Sequence, residues 1–242
     1  MMTTRDDDFG RPGAFDGFDA LTFDCYGTLI DWETGLLAGL RAVLDAHGVS
    51  AEDDALLETY AGFEADAEAG PYLRYRDVLG VGLRGVCDGL RIRPTDAEVA
   101  AFGGSVADWP AFSDSAAALA GLKARYRLGV ITNCDDDLFA ASNRRLGVDF
   151  DWVVTAQQAG GYKPRLANFE LAFERIDVPR ERILHVAQSL FHDHVPAKAI
   201  GMTTVWIDRR HDRAGSGATP LASAVPDFVF PDLASFAEAA VR

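Results

Sequence analysis

The chain has 242 residues, with 23 basic and 37 acidic side chains, a formal net charge of −14 and 48% hydrophobic residues. This balance excludes a disordered, collagen-like or fibrous chain, and the length accommodates one large domain or a core with an insert. The surplus acid argues against nucleic acid and anionic membrane as partners, and no run of about 18 apolar residues marks a transmembrane helix.

The first 17 residues are acidic and Gly-rich, lack an apolar signal core, and read as a loose lead-in. Six short apolar runs then read as buried parallel strands, at 19–24, 128–132, 152–155, 183–187, 204–207 and 227–230. Helical stretches at 113–124, 138–146, 165–174 and 195–199 alternate with them, the rhythm of a parallel α/β sheet with right-handed crossovers. Between the first two strands the rhythm breaks. Residues 34–48, 51–69, 72–90 and 95–108 read as four helices, a block best explained as a helical cap inserted after the first strand. The expected division is a lead-in at 1–17, a core at 18–33 and 109–242, and a cap at 34–108. Cys25, Cys87 and Cys134 are odd in number and lack C-x-x-C spacing, which fits a reducing cytoplasm better than a disulfide frame or zinc site.

Ligands of open parallel sheets bind beyond the carboxyl ends of the strands. Here those ends carry Asp24, Thr132–Asn133, Thr155 and residues 187–189. Asp24 stops an apolar strand before a Gly27 turn; taken alone, it reads equally as an oriented nucleophile or as a turn cap. Thr132 and Asn133 offer a hydroxyl and an amide as donors, although an Asn there also fits a helix cap. Asp135, Asp136 and Asp137 read as charges at a helix N-terminus. Lys163, before Pro164, is placed to neutralise Asp24, and Asp193 to pair with that lysine or position a water. His192, Asp193 and His194 are adjacent and point in different directions, so they read poorly as a metal site. No His is placed to activate Cys25 or Cys134 as a nucleophile.

In order, Asp24, Thr132–Asn133, Lys163 and Asp193 resemble the motifs of the haloacid dehalogenase superfamily of hydrolases. The motif D-x-Y-G-T at 24–28 and Tyr162–Lys163–Pro164 are most similar to its type II 2-haloacid dehalogenase branch, and the resemblance covers nearly the whole chain after residue 17. It implies a Rossmannoid parallel sheet with a helical cap. It also implies an aspartyl-ester mechanism. Asp24 attacks the halide-bearing carbon, and water hydrolyses the ester with help from Lys163, Asp193 and Thr28. Tyr26, Thr132, Asn133, Gln188 and Ser189 are the implied substrate-binding residues. No cofactor is implied on this branch. Phosphatases of the superfamily place a general-acid Asp where Tyr26 stands and bind Mg²⁺ through an acidic pair whose first member is here Gln188. A Mg²⁺-dependent phosphatase therefore stands as the second reading, with Asp24 and Asp193 as its metal ligands. Ring opening of a strained cyclic amino acid uses the same Asp24 attack. A non-catalytic relative is the third reading, and the presence of both Asp24 and Lys163 argues against it. The expected partner is a small-molecule substrate, and the resemblance suggests a homodimer.

The departures lie in the shell around these residues. The family's cap Arg has no counterpart in the stretch 56–70, which offers Tyr60, Glu64, Asp66 and Glu68; Arg41, Arg74 and Arg76 lie outside it. Phe169 replaces a family Tyr, and Gln188 and Leu190 replace Ser and Asn. By spacing alone, Glu64 and Glu68 read as a solvated helix face. The alternative is an acidic cap face that prefers a cationic or zwitterionic electrophile. Tyr72, Tyr75 and Trp109 are more readily core than cleft, and Arg209 and Arg210 fit either a cleft or a surface salt bridge.

Overall fold

The computed structural model describes residues 13–212 and 217–242. Most of the expected lead-in, 1–12, lies outside the described residues. Its remainder departs from expectation: Phe15 is buried against Phe228, Phe230 and Phe236, because its ring fills the gap left between the last strand and the last helix.

Six parallel strands form one sheet: β1 (Ala20–Phe23), β2 (Arg127–Thr132), β3 (Trp152–Thr155), β4 (Ile183–Ala187), β5 (Thr203–Ile207) and β6 (Phe228–Phe230), in the order β3-β2-β1-β4-β5-β6. The apolar runs form strands because both faces are covered, so Leu21, Phe23, Val130, Leu184 and Val205 are all buried. β1 lies between β2 and β4, so the strand order reverses there. That is the switch point where such sheets hold ligands. Register aligns Phe23 with Val130 and Val186, which brings Asp24 level with the carboxyl ends of both neighbouring strands.

Between β1 and β2 the chain forms α1 (Trp32–Ala46), α2 (Asp53–Ala69), α3 (Tyr75–Gly89) and α4 (Asp96–Gly104), a 3₁₀ turn at Ser105–Asp108, and α5 (Ser115–Lys123). The later crossovers carry α6 (Asp136–Leu146), α7 (Ala156–Ala159), α8 (Ala167–Arg175) and α9 (Val195–Ala199). The fourth predicted helix ends early, since Ser105 turns its hydroxyl onto Phe102 O and starts the 3₁₀ turn. A closing helix, α10 (Leu233–Ala240), is not among the predicted elements. Its signal is local: Asp232 caps Ser235 N, and Leu233, Phe236, Ala237 and Ala240 form a buried stripe.

One apolar cluster runs from Phe23 and Leu184 in the sheet to Tyr60 and Leu79 in the four-helix block. Within that block α2 and α3 pack closely over Gly82, where a Cβ would stand 2.4 Å from the Tyr60 ring. Among the described residues, no helix is long and apolar enough to cross a membrane.

Candidate active site

The chain leaves β1 through Asp24 and turns back at once. The amides of Thr28, Leu29 and Ile30 all donate to Cys25 O, and Gly27 takes φ = 93°, a conformation that side chains disfavour. This turn returns the Thr28 hydroxyl to Asp24 Oδ2 at 2.7 Å. The Thr28 oxygen accepts in turn from Gln188 N, and Arg209 donates to the Thr28 carbonyl and to Asp114. Arg209 therefore braces the turn, and Arg210 pairs with Glu33. Neither lines the space over Asp24.

Lys163 is fully buried and commits all three ammonium protons. They go to Asp24 Oδ1 (2.9 Å), Asp193 Oδ1 (2.7 Å) and Ile131 O (2.8 Å). Asp193 comes from a single π-helical turn, Leu190–His194, set off by Ser189, whose hydroxyl accepts from His192 N. His185 also bonds Asp193 Oδ1 (3.0 Å) and is itself held by Thr22 across the β1–β4 register. Phe169 packs edge-on against the His185 ring. One ammonium thus serves two buried carboxylates. Burial raises both, but the Lys163 charge and the His185 bond hold Asp193 well below the usual range. Asp24, with less compensation, is left raised. Burial works against the Lys163 charge, and Asp193 and Asp24 together outweigh it, so the lysine stays protonated.

Asn133 lines the cavity over Asp24, with its amide committed within the protein. Its amide oxygen accepts from Lys163 N (2.7 Å), and its NH₂ donates to Lys163 O (3.0 Å) and to Glu68. It therefore fixes the backbone that carries the lysine. The Thr132 hydroxyl is buried without a partner and does not line the cavity over Asp24. Gln188 N donates to the Thr28 hydroxyl, its carbonyl accepts from Trp206 and its side-chain oxygen from Thr219, which lines the cavity; Gln188 itself does not. Ser189 and the Tyr26 ring do line the cavity. The Tyr26 hydroxyl faces Ser142 and Cys134 instead. Burial pushes the Cys25 and Cys134 thiols up, away from the thiolate a nucleophile needs.

The cavity is small, about 30 Å³, and Asp24 and Asp193 share it with Glu64, Glu68, Tyr75 and His192. This overturns the expected solvated face for the two glutamates: both are buried. Glu64 Oε1 accepts from Tyr60 and Tyr75, both at 3.0 Å, and Glu68 lies 3.5 Å from His192 Nε2. Burial and the neighbouring Glu68 charge push Glu64 up to about 8, and burial raises Glu68 well above its usual range. A carboxyl raised on folding stabilises the fold below its unfolded range, and that contribution is lost as pH rises through the folded value. Thermal unfolding should therefore show Tm falling between about pH 5 and about pH 8.5, and falling less in Glu64→Gln. An equal fall in both proteins would contradict this.

The predicted substitutes for a cap Arg do not enter the cavity. Arg41 pairs with Asp53 at the surface, Arg74 is exposed, and Arg76 pairs with Asp135 and Asp137. Asp135 is not a simple helix-end charge. Fully buried, it accepts from the Tyr75 and Arg76 amides and so caps α3 from the end of β2. Trp109 is core, and Tyr72 stacks on Tyr162 outside the cavity.

The donors do not fit a divalent cation. The space between Asp24 and Asp193 is spanned by Lys163 Nζ, and position 188 supplies an amide in place of a carboxylate. Among the described residues, no group of three His, Cys, Asp or Glu side chains is arranged to hold a metal.

Comparison with known proteins agrees with this architecture. The family described as haloacid dehalogenase-like hydrolase matches residues 18–200. Haloacetate dehalogenase H-2 of Moraxella sp. (strain B) is 24% identical over 88% of this chain and 93% of its own. The (S)-2-haloacid dehalogenase of Pseudomonas putida is 25% identical over 88% and 92%. Among solved structures, L-2-haloacid dehalogenase from Xanthobacter autotrophicus with chloropropionic acid covalently bound superposes with a TM-score of 0.75 at 21% identity, covering 91% of this chain and 97% of that one.

Proposed function

Because the chain belongs to the haloacid dehalogenase-like hydrolase family, we propose that it is a hydrolase in which Asp24 displaces a leaving group, halide above all, from a small organic substrate. The observation that carries this reading is the buried Asp24–Lys163–Asp193 chain, with the Thr28 hydroxyl on the remaining Asp24 oxygen. A carboxylate oriented from both sides, beside a cavity, has the geometry of a nucleophile. The names of the relatives support halide as the leaving group.

In the first step an Asp24 oxygen bonds to the substrate carbon as the carbon–halide bond breaks, and halide leaves with its electron pair. The product is an aspartyl ester. In the second step water adds to the Asp24 carboxyl carbon, one of its protons leaves with the departing alcohol, and the other is released as the carboxylate is regenerated. Lys163 and Thr28 hold the carboxyl oxygens and stabilise the charge that develops on them. Asp193 Oδ2 has no hydrogen-bond partner, and Asp193 lines the cavity, so this oxygen is available to orient the attacking water. Residues 34–108 act as a cap in this reading. They bring Glu64, Glu68 and Tyr75 over Asp24 and limit water during the first step. Neither step uses a metal. A cytoplasmic setting and a homodimer complete the proposal.

The test is halide release in EDTA from small chloro-, bromo- and fluoro-acids and amides, with the denatured protein weighed for an ester on Asp24. Halide release with a transient adduct is expected. Phosphate release from esters that requires Mg²⁺, with no adduct, would overturn the reading.

A further inference from the structure

The walls of the Asp24 cavity are matched to the wrong charge for a carboxylate-bearing substrate. They bring four carboxyl groups together, Asp24, Glu64, Glu68 and Asp193, with Lys163 as the one ammonium among the described lining residues. That ammonium has no proton left to offer, since all three are bonded within the protein. No Arg lines the space among the described residues. His192 also lines the cavity, nine-tenths buried; its Nε2 makes no hydrogen bond and stands 3.5 Å from Glu68 Oε2.

We propose that the group beside the reacting carbon of the substrate is cationic, an ammonium or amidinium, and that Glu64 and Glu68 receive it under the aromatic wall of Tyr26, Trp32 and Tyr75. This names the substrate class of the reaction proposed above and rests on that reading. The hydrogen bonds around the pair favour acceptors. Tyr60 and Tyr75 hydroxyls donate into Glu64, and the Asn133 NH₂ donates toward both oxygens of Glu68. Donors aimed at a carboxyl stabilise its ionised form. Burial works against that form, and the Lys163 ammonium, already bonded to Asp24 and Asp193, offsets it only in part. A cation entering the cavity supplies the remaining counter-charge, and tyrosine and tryptophan rings add their own attraction for cations. A carboxylate in the same place finds no cationic donor free to receive it and meets the ionised Asp193 across low-dielectric surroundings.

Three planar probes with one shape and three charges test this: chloroacetamidine, chloroacetamide and chloroacetate. Each rate is compared with the same probe's uncatalysed reaction with acetate ion, which removes intrinsic reactivity. The expected order of kcat/KM is amidinium, then amide, then carboxylate, with about ten-fold or more between first and last, the size of one charged hydrogen bond. Glu68→Gln should lower the amidinium rate and raise the carboxylate rate. Calorimetry with acetamidinium and acetate, which carry no leaving group, should show the same order in binding to the wild-type protein. Chloroacetate reacting as fast or faster, with an ester on Asp24, would overturn the charge preference and leave the covalent reading standing. No ester from any probe would overturn the covalent reading, and calorimetry would then decide the charge preference by itself.

Discussion

Replacing Asp24 with asparagine should reduce kcat by on the order of 10⁴–10⁶, the scale seen when a group of an interdependent catalytic set is removed, while Tm stays near that of the wild type. An amide is a poor nucleophile and gives no aspartyl ester, so the first step is lost outright. The fold is spared because of how charge is distributed. Asp24, Lys163 and Asp193 bury two carboxylates with one ammonium, and removing the first leaves a balanced Lys163–Asp193 pair. The side-chain amide of the variant retains a carbonyl oxygen to accept from Lys163 or Thr28. Halide release, ester detection and thermal unfolding on one preparation check all parts. Substantial turnover by Asp24→Asn would end the covalent mechanism.

Lys163→Met is expected to do the reverse in stability and the same in activity. It leaves Asp24 and Asp193 facing one another in a dry interior with no cation between them, and Ile131 O without its donor. Breaking a buried ion pair by removing one partner costs about 3–5 kcal/mol. Turnover should fall below detection, because the ammonium that orients Asp24 is gone. The double variant Lys163→Met/Asp193→Asn should recover much of the stability by removing one stranded charge, and recover none of the activity. Denaturant unfolding separates these outcomes. A single variant as stable as the wild type would show that the network does not carry the charge balance described above.

The parts legible in the sequence are those with a local cause. Parallel strands buried on both faces are apolar runs, and polar residues that end such runs stand out, as Asp24 does; Lys163 and Asp193 follow from their places just beyond later strand ends. The parts that sequence reading misses depend on partners distant in the chain. Glu64 and Glu68 have the spacing of a solvated face, and α2 places them inward because Tyr75, Asn133 and His192 wait there. His185 sits inside an apolar run, where only the register with Thr22 and the later arrival of Asp193 give it a purpose. Asp135 looks like one of three helix-end charges until the amides of Tyr75 and Arg76, 60 and 59 residues away in sequence, are seen to bond it. Asn133 stands at the expected strand end, but its amide serves the lysine backbone and Glu68, which a sequence motif does not specify.

Gly82 carries the point beyond the cavity walls. It does not line the Asp24 cavity, yet it sets how deeply the Tyr60 ring sits, and the Tyr60 hydroxyl bonds Glu64. The identity of one small residue on a neighbouring helix is thereby transmitted to the electrostatic lining of the reaction chamber. Laboratory evolution of this scaffold toward new substrates has a lever at position 82, and a mutant library confined to cavity-facing codons would never sample it.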